Sequence, residues 1–302
     1  MMNVSELHQV RKTFGSHDVL KGVDFCVPAH SILGFIGQNG AGKTTTMKLI
    51  LGLLPRDAGE IQVCQETVSF GDTKANRHIG YLSDVPAFYD YLTPYEYLQL
   101  CASITHMPSA DCKRKSEELL TLTGLWQSRK KRIATFSRGM KQRLGIAQAL
   151  LNEPDLLIAD EPTSALDPIG RKDILSILTQ IKDHTTIIFS THILSDVERV
   201  CDSYAILHDG IIQRHGSMQS IKEKASNRMQ LEFMNPESMQ HFLSKTQFST
   251  KICTDTELQI THDNMSQLQS KLHQELLQQK LSLRRMEIVE PTLESLYMEV
   301  VK

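Results

Sequence analysis

The chain has no apolar run approaching the roughly 18–20 residues that a membrane-spanning helix needs, so it is not expected to cross a bilayer by itself. Its first residues, Met1-Met2-Asn3-Val4-Ser5-Glu6, lack the apolar core of a secretory signal, and a cytoplasmic location is expected. It also lacks an excess of charge. Lys and Arg number 33 against 35 Asp and Glu, a net of −2. A chain that holds nucleic acid through its own field is ordinarily basic, so no nucleic-acid partner is expected. None of the six cysteines (Cys26, Cys64, Cys101, Cys112, Cys201, Cys253) sits in a CxxC pair. That argues against a zinc site or a disulfide framework and for reduced, mostly buried thiols. There is no repeat, low-complexity tract or long linker, and no glycine after Gly216.

What is present is an ordinary globular mix, 40% hydrophobic and 23% charged, in 302 residues, room for two domains. Short apolar runs at 7–14, 19–27, 31–36 and 61–63 predict a strand-rich start. Ser31-Ile32-Leu33-Gly34-Phe35-Ile36 is apolar almost throughout, as in a strand buried on both faces of a parallel sheet. A helix over 44–53 follows. Residues 93–150 read as helical: Thr93-Pro94-Tyr95-Glu96 is a capping box, 113–123 a second helix, and Ser137 opens a third. Strands at 156–159 and 185–190 flank a helix begun by Asp167-Pro168. Asp209-Gly210 marks a hairpin between 204–208 and 211–215. From about 217 the texture changes to a small α+β unit, joined near 217–228, with strands near 229–233, 252–253, 258–261 and 283–289. Helices are expected over 236–243 and 264–278, and a final one with Leu293, Leu296, Tyr297, Val300 and Val301 burying a face.

Three segments carry chemistry. Gly37-Gln38-Asn39-Gly40-Ala41-Gly42-Lys43-Thr44 fits the phosphate-binding loop pattern and lies between an apolar strand and a helix. Glycines let backbone N–H groups converge on phosphates, Lys43 supplies a point charge, and Thr44 offers a hydroxyl to Mg²⁺. The helix N-terminus adds partial positive charge. Leu156-Leu157-Ile158-Ala159-Asp160-Glu161 ends a buried strand in two carboxylates, which point to opposite faces and so need different roles. Asp160 suits Mg²⁺ and Glu161 the attacking water; the bland alternative is a strand ending in a polar turn. Phe136-Ser137-Arg138-Gly139-Met140 opens another helix with a hydroxyl and a glycine, a second place for an anion. The alternative is that Ser137 is only an N-cap.

With these segments in this order, the chain over about 4–216 resembles the ATP-binding subunit of an ABC transporter. The resemblance implies an α/β fold: a P-loop NTPase core with a β-rich N-terminal subdomain and a helical signature subdomain (insert about 85–135), followed by the small α+β C-terminal domain over 217–302. It implies an ATPase with ATP and Mg²⁺ as cofactors. Gly37 through Thr45 would hold the nucleotide, with the Phe14 ring stacked on adenine unless it is merely a core ring. Thr44 and Asp160 would hold the metal. Glu161 and His192, in Phe189-Ser190-Thr191-His192, would be catalytic; a histidine after a strand is otherwise structural. Ser137 and Gly139 would reach a γ-phosphate held by a second subunit, and Asp167, in Ser164-Ala165-Leu166-Asp167, would link the two sites.

Three positions depart from the family pattern. Arg138 replaces the first glycine of the signature Leu-Ser-Gly-Gly-Gln and Met140 its glutamine. Asp84, in Ile79-Gly80-Tyr81-Leu82-Ser83-Asp84, stands where glutamine is usual; it can still hold a metal-bound water but cannot donate a hydrogen bond.

The implied partners are a second copy of the chain and separate integral membrane permease subunits, with the chain peripheral on the inner face of the cell membrane. The run from Glu290 to Tyr297 resembles the tail of bacterial drug- and antibiotic-peptide exporter ATPases. Two other readings compete: an ABC ATPase acting on ribosomes or DNA, and a binding module with a dead site. The first typically has two cassettes or long insertions, and the second conflicts with the presence of Lys43, Asp160, Glu161 and His192. Arg129-Lys130-Lys131-Arg132 is read as a solvated basic face.

Overall fold

A computed structural model describes residues 3–71, 74–223, 228–262, 264–289 and 292–301. The chain divides into two compact units, one over residues 1–217 with Val301 and one over 218–300 with Lys302.

The first unit begins with a four-stranded antiparallel sheet in the order β2-β1-β4-β5, from β1 (Asn3–Phe14), β2 (His17–Pro28), β4 (Ala58–Val63) and the two-residue β5 (Glu66–Thr67). Alternate side chains such as Leu20, Val23, Phe25 and Val27 on β2 point inward, the period-2 pattern of a half-buried sheet. Its hairpin from β4 to β5 turns at Cys64 and Gln65, both at positive φ (50° and 65°). No glycine marks that turn, which is why the sequence did not announce it.

The second sheet has six strands in the order β10-β9-β3-β8-β7-β6. β3 (Ile32–Ile36), β6 (Ile79–Leu82), β7 (Leu156–Asp160), β8 (Thr186–Thr191) and β9 (Ser203–His208) are parallel, and β10 (Ile211–Ser217) returns antiparallel. Every residue of β3, β7 and β8 is buried, as strands covered on both faces must be. The register sets Ile36 opposite Thr191 and Asp160 opposite Ser190. The carboxyl ends of β3, β8 and β7 are therefore level and adjacent, the end at which open α/β sheets bind ligands.

Helices α1 (Lys43–Ile50), α4 (Arg138–Ala149), α5 (Pro168–Ile181) and α6 (Leu194–Val200) belong to this unit, as do α2 (Pro94–Ile104) and α3 (Ser109–Leu122) between β6 and β7. The capping box forms as expected: Thr93 and Glu96 satisfy each other's backbone N–H. Asp167 accepts from Gly170 N at 3.0 Å and starts α5, whose Ile174, Leu175, Ile177, Leu178 and Ile181 are buried. Asp209 and Gly210, at φ 49° and 77°, form the tight turn from β9 to β10. The basic run is only partly paired: the Arg129 guanidinium stacks 4.1 Å over Trp126, and 130–132 face solvent.

The second unit opens with α7 (Met218–Glu223), then β11 (Arg228–Phe233), α8 (Pro236–Lys245), β12 (Thr250–Ile252), β13 (Glu257–Thr261), α9 (Met265–Gln278), β14 (Leu283–Ile288) and α10 (Leu293–Val301). Its antiparallel sheet runs β12-β13-β11-β14, the split β-α-β arrangement of ferredoxin-like folds. Met229, Leu231 and Phe233 pack with Phe242, Leu258, Ile260, Leu268, Leu272 and Leu276 as one core.

Two expectations need correction. The face of α10 is not buried throughout: Leu293 is buried, whereas Leu296, Tyr297, Val300 and Val301 are half-covered. Glu290 and Pro291 of the closing run lie outside the described residues. The thiols are free but not mostly buried. Cys112 and Cys201 are buried, Cys64 and Cys101 half-buried, and Cys26 and Cys253 exposed, because Cys26 occupies an outward position of β2 and Cys253 follows β12 in a turn. Burial, with Asp155 close by, pushes the Cys64 thiol up to about 11. At pH 8 iodoacetamide is expected to modify Cys26 and Cys253 well before Cys64, because only the thiolate reacts. Peptide mass mapping checks this, and equal labelling of Cys64 would contradict it.

Candidate functional site

A cavity of about 540 Å³ opens where the loop after β3 meets the end of β7. It is lined by Phe14, His17, Val19, Gln38, Asn39, Gly40, Gly42, Lys43, Thr44, Thr45, Asp84, Asp160 and Glu161. Gly37 and Ala41 belong to the same loop, and His192 reaches the cavity through Glu161. Ser137, Gly139 and Asp167 do not line it.

The loop needs glycine at its turn into α1. Gly42 is that helix's N-cap at φ 108°, and a Cβ there would stand 2.8 Å from Leu20 Cδ2. Lys43 is held inward: its Nζ donates to Gly37 O at 2.7 Å and Gln38 O at 3.3 Å and lies 3.3 Å from Glu161 Oε1. The lysine side chain is only 6% exposed, so the charge is kept out of bulk water and presented to the cavity.

The carboxylates are fixed from β8 and α1. Ser190 Oγ donates to Asp160 Oδ1 at 2.6 Å, and Thr44 Oγ1 donates to Oδ2 at 2.9 Å. Glu161 N donates to both Ser190 O and Ser190 Oγ at 3.1 Å, with Glu161 at φ 48°. That bend turns the side chain toward His192, whose Nδ1 stands 2.8 Å from Glu161 Oε2. Glu161 Oε1 is buried and has no hydrogen-bond partner among the described residues. Its charge partner is the Lys43 ammonium at 3.3 Å, and a buried oxygen still short of a hydrogen bond is costly unless a ligand completes it. The hydroxyl of Thr44 and the carboxylate of Asp160 are hard oxygen donors of the kind Mg²⁺ takes beside phosphate. The residues present therefore fit a metal-bound nucleoside triphosphate.

Sequence reasoning overlooked several participants. His17 and Val19 line the cavity from β2. Ser190 holds both acidic residues, although it lies within a strand whose burial alone would explain it. Phe14 is 47% exposed at the end of β1, which removes the core-ring alternative; Lys12 Nζ sits 5.2 Å from its ring centre. Ser137 is the N-cap of α4, accepting from Met140 N at 3.3 Å, and is exposed.

A parallel sheet with a glycine-rich phosphate loop, a buried lysine and paired strand-end carboxylates defines a P-loop nucleoside-triphosphatase. The comparisons with known proteins narrow the class. The family profile described as ABC transporter matches residues 20–164. The chain is 41% identical over 214 residues to the uncharacterized ABC transporter ATP-binding protein YxlF of Bacillus subtilis, covering 70% of each chain. It is 38% identical over 235 residues to the bacitracin transport ATP-binding protein BcrA of Bacillus licheniformis, covering 77% of this chain and 75% of the relative. A solved ATP-binding cassette, a dimer in a post-hydrolysis state with ADP and Pi, superposes with TM-score 0.64 at 25% identity, over 71% of this chain and 98% of that one. The protein belongs to the ABC transporter ATP-binding family: it is an ATP-binding subunit and an ATPase of that class.

Proposed function

We propose that this subunit hydrolyses ATP between two copies of itself to drive export through separate membrane subunits. The observation that carries the reading is the division of anion-seeking groups. Lys43, Thr44, Asp160 and Glu161 share one cavity, while the second helix end, with exposed Ser137, stands outside it. A helix N-terminus with a capping hydroxyl turned to solvent is free to meet a phosphate held elsewhere. A two-fold arrangement places Ser137 and Gly139 of one copy over the triphosphate of the other, with Asp167 at the seam.

In this reading Phe14 supports the adenine, and the loop from Gly37 to Thr45 wraps the phosphates. Thr44 and Asp160 hold Mg²⁺, which would offset charge on the phosphate oxygens. Glu161 Oε1 accepts a proton from the attacking water as that water's oxygen bonds to the γ-phosphorus and the bond to ADP breaks. His192 keeps Oε2 occupied, so that Oε1 is the oxygen without a hydrogen bond among the described residues. Lys43, 3.3 Å from Oε1, compensates the charge of this carboxylate.

Among the described residues no helix is long and apolar enough to cross a membrane; in this reading separate membrane subunits carry the transport path. The segment 85–91 exposes Val85, Tyr89 and Tyr91 beside α2, an apolar surface suited to a permease helix. The named relative that serves bacitracin transport supports an exporter. Purification of the tagged chain from detergent-solubilised membranes is expected to bring an integral membrane protein with it. A consistently soluble complex, with ATPase activity stimulated by RNA or DNA instead, would overturn the reading in favour of ribosome or DNA work.

A further inference from the structure

The cavity carries more negative charge than its lysine can balance. Asp84, Asp160 and Glu161 all line it, and among its described lining residues Lys43 is the one Lys or Arg. Asp160 is engaged by Thr44 and Ser190, and Glu161 by Lys43 and His192. Asp84 faces the same space, where a triphosphate would repel it. Its Oδ1 is instead taken from the other side. Arg138 Nη2 lies 3.3 Å from Asp84 Oδ1 and 3.3 Å from Ser164 Oγ, and the Ser164 hydroxyl donates to the same Asp84 oxygen.

Arg138 is a poor local choice. It is the first residue of α4, where the helix dipole disfavours a cation. It also occupies one of the two charged departures from the family pattern, and Asp84 occupies the other. Fifty-four residues apart in sequence, the two meet in the fold. Their side chains are 46% and 47% exposed, so the pair adds little to folding stability. Its geometry points to a different use, since it joins two loops and a helix end: the loop after β6, the start of α4 beside Ser137, and the loop after β7 that carries Ser164.

We propose that Arg138 and Asp84 are a matched pair of positioning residues. The guanidinium neutralises a carboxylate that would otherwise oppose the triphosphate, and through Ser164 it fixes the loop after β7 against the helix end that carries Ser137. The proposal rests on the cavity being the ATP site.

The test is a double-mutant cycle on the intact protein: Arg138→Gln, Asp84→Asn and both together, read as KM for MgATP, kcat and thermal midpoint. Arg138→Gln is expected to raise KM about tenfold, the size of a coupled charge contact, with the thermal midpoint unmoved. Removing Asp84 as well is expected to return KM to within about twofold of wild type. Arg138→Lys, which keeps the charge, is expected to rescue most of the KM effect. If the wild type binds ATP but the single-variant effects simply multiply in the double variant, the pairing is wrong and the ATP site stands. If the wild type binds no ATP, both proposals fall.

Discussion

Glu161→Gln is expected to cut ATP turnover by about 10²–10⁴-fold, the usual worth of a general base, while nucleotide affinity stays near wild type. The reason lies in how the glutamate is held. Its N–H is anchored twice on Ser190, its backbone is bent to φ 48°, and His192 occupies Oε2. Oε1 faces the Lys43 ammonium at 3.3 Å and has no hydrogen-bond partner among the described residues. Glutamine keeps the size and the anchoring but cannot take a proton. The lysine that now lies 3.3 Å from a carboxylate oxygen would still face the phosphates. Single-turnover hydrolysis alongside titration of a fluorescent ATP analogue separates the two effects. Wild-type turnover in this variant would remove Glu161 from the chemistry.

Lys43→Ala is expected to act on the other quantity. The Lys43 ammonium is 6% exposed and donates to two loop carbonyls. Its loss removes the charge offered to the phosphates and leaves Glu161, only 14% exposed, without its cation. Truncating one member of a buried charge pair costs about 2–5 kcal/mol, so ATP affinity is expected to fall by roughly 30-fold to several thousand-fold. Equilibrium dialysis with labelled ATP checks this, and near-normal affinity would place the triphosphate elsewhere.

The parts of this molecule that could be read from sequence are those whose physics is local. The Thr93–Glu96 box, the Asp167 and Ser137 caps and the Asp209-Gly210 turn each involve residues within a few positions, and each forms. The apolar runs at 32–36 and 156–159 identified strands buried on both faces. Once these run parallel, their carboxyl ends must carry the glycine loop and the acids to one edge.

Long-range side-chain bonds left no such trace. Nothing local links Ser190 to Asp160 or Arg138 to Asp84, 30 and 54 residues apart. The seven-residue α6 went unread because it is short; it buries Val197, along with the charged Asp196, which Arg171 and Thr163 satisfy. The turn at Cys64-Gln65 went unread because it adopts positive φ without glycine. The 14 residues of α9, by contrast, announced themselves through Leu268, Leu272 and Leu276.

The account stands on a triphosphate shared between subunits, and mixing two crippled variants tests it most directly. In the proposed dimer, Lys43→Ala would spoil the loop side of both sites, and Ser137→Arg would spoil the signature side. Each alone should be inactive. In a mixed dimer, one site combines an intact Lys43 from one chain with an intact Ser137 from the other. Equal amounts, allowed to exchange, should recover up to about a quarter of wild-type turnover, because half the dimers are mixed and each has one whole site. No recovery on mixing, or full turnover by Ser137→Arg alone as a monomer, would contradict it.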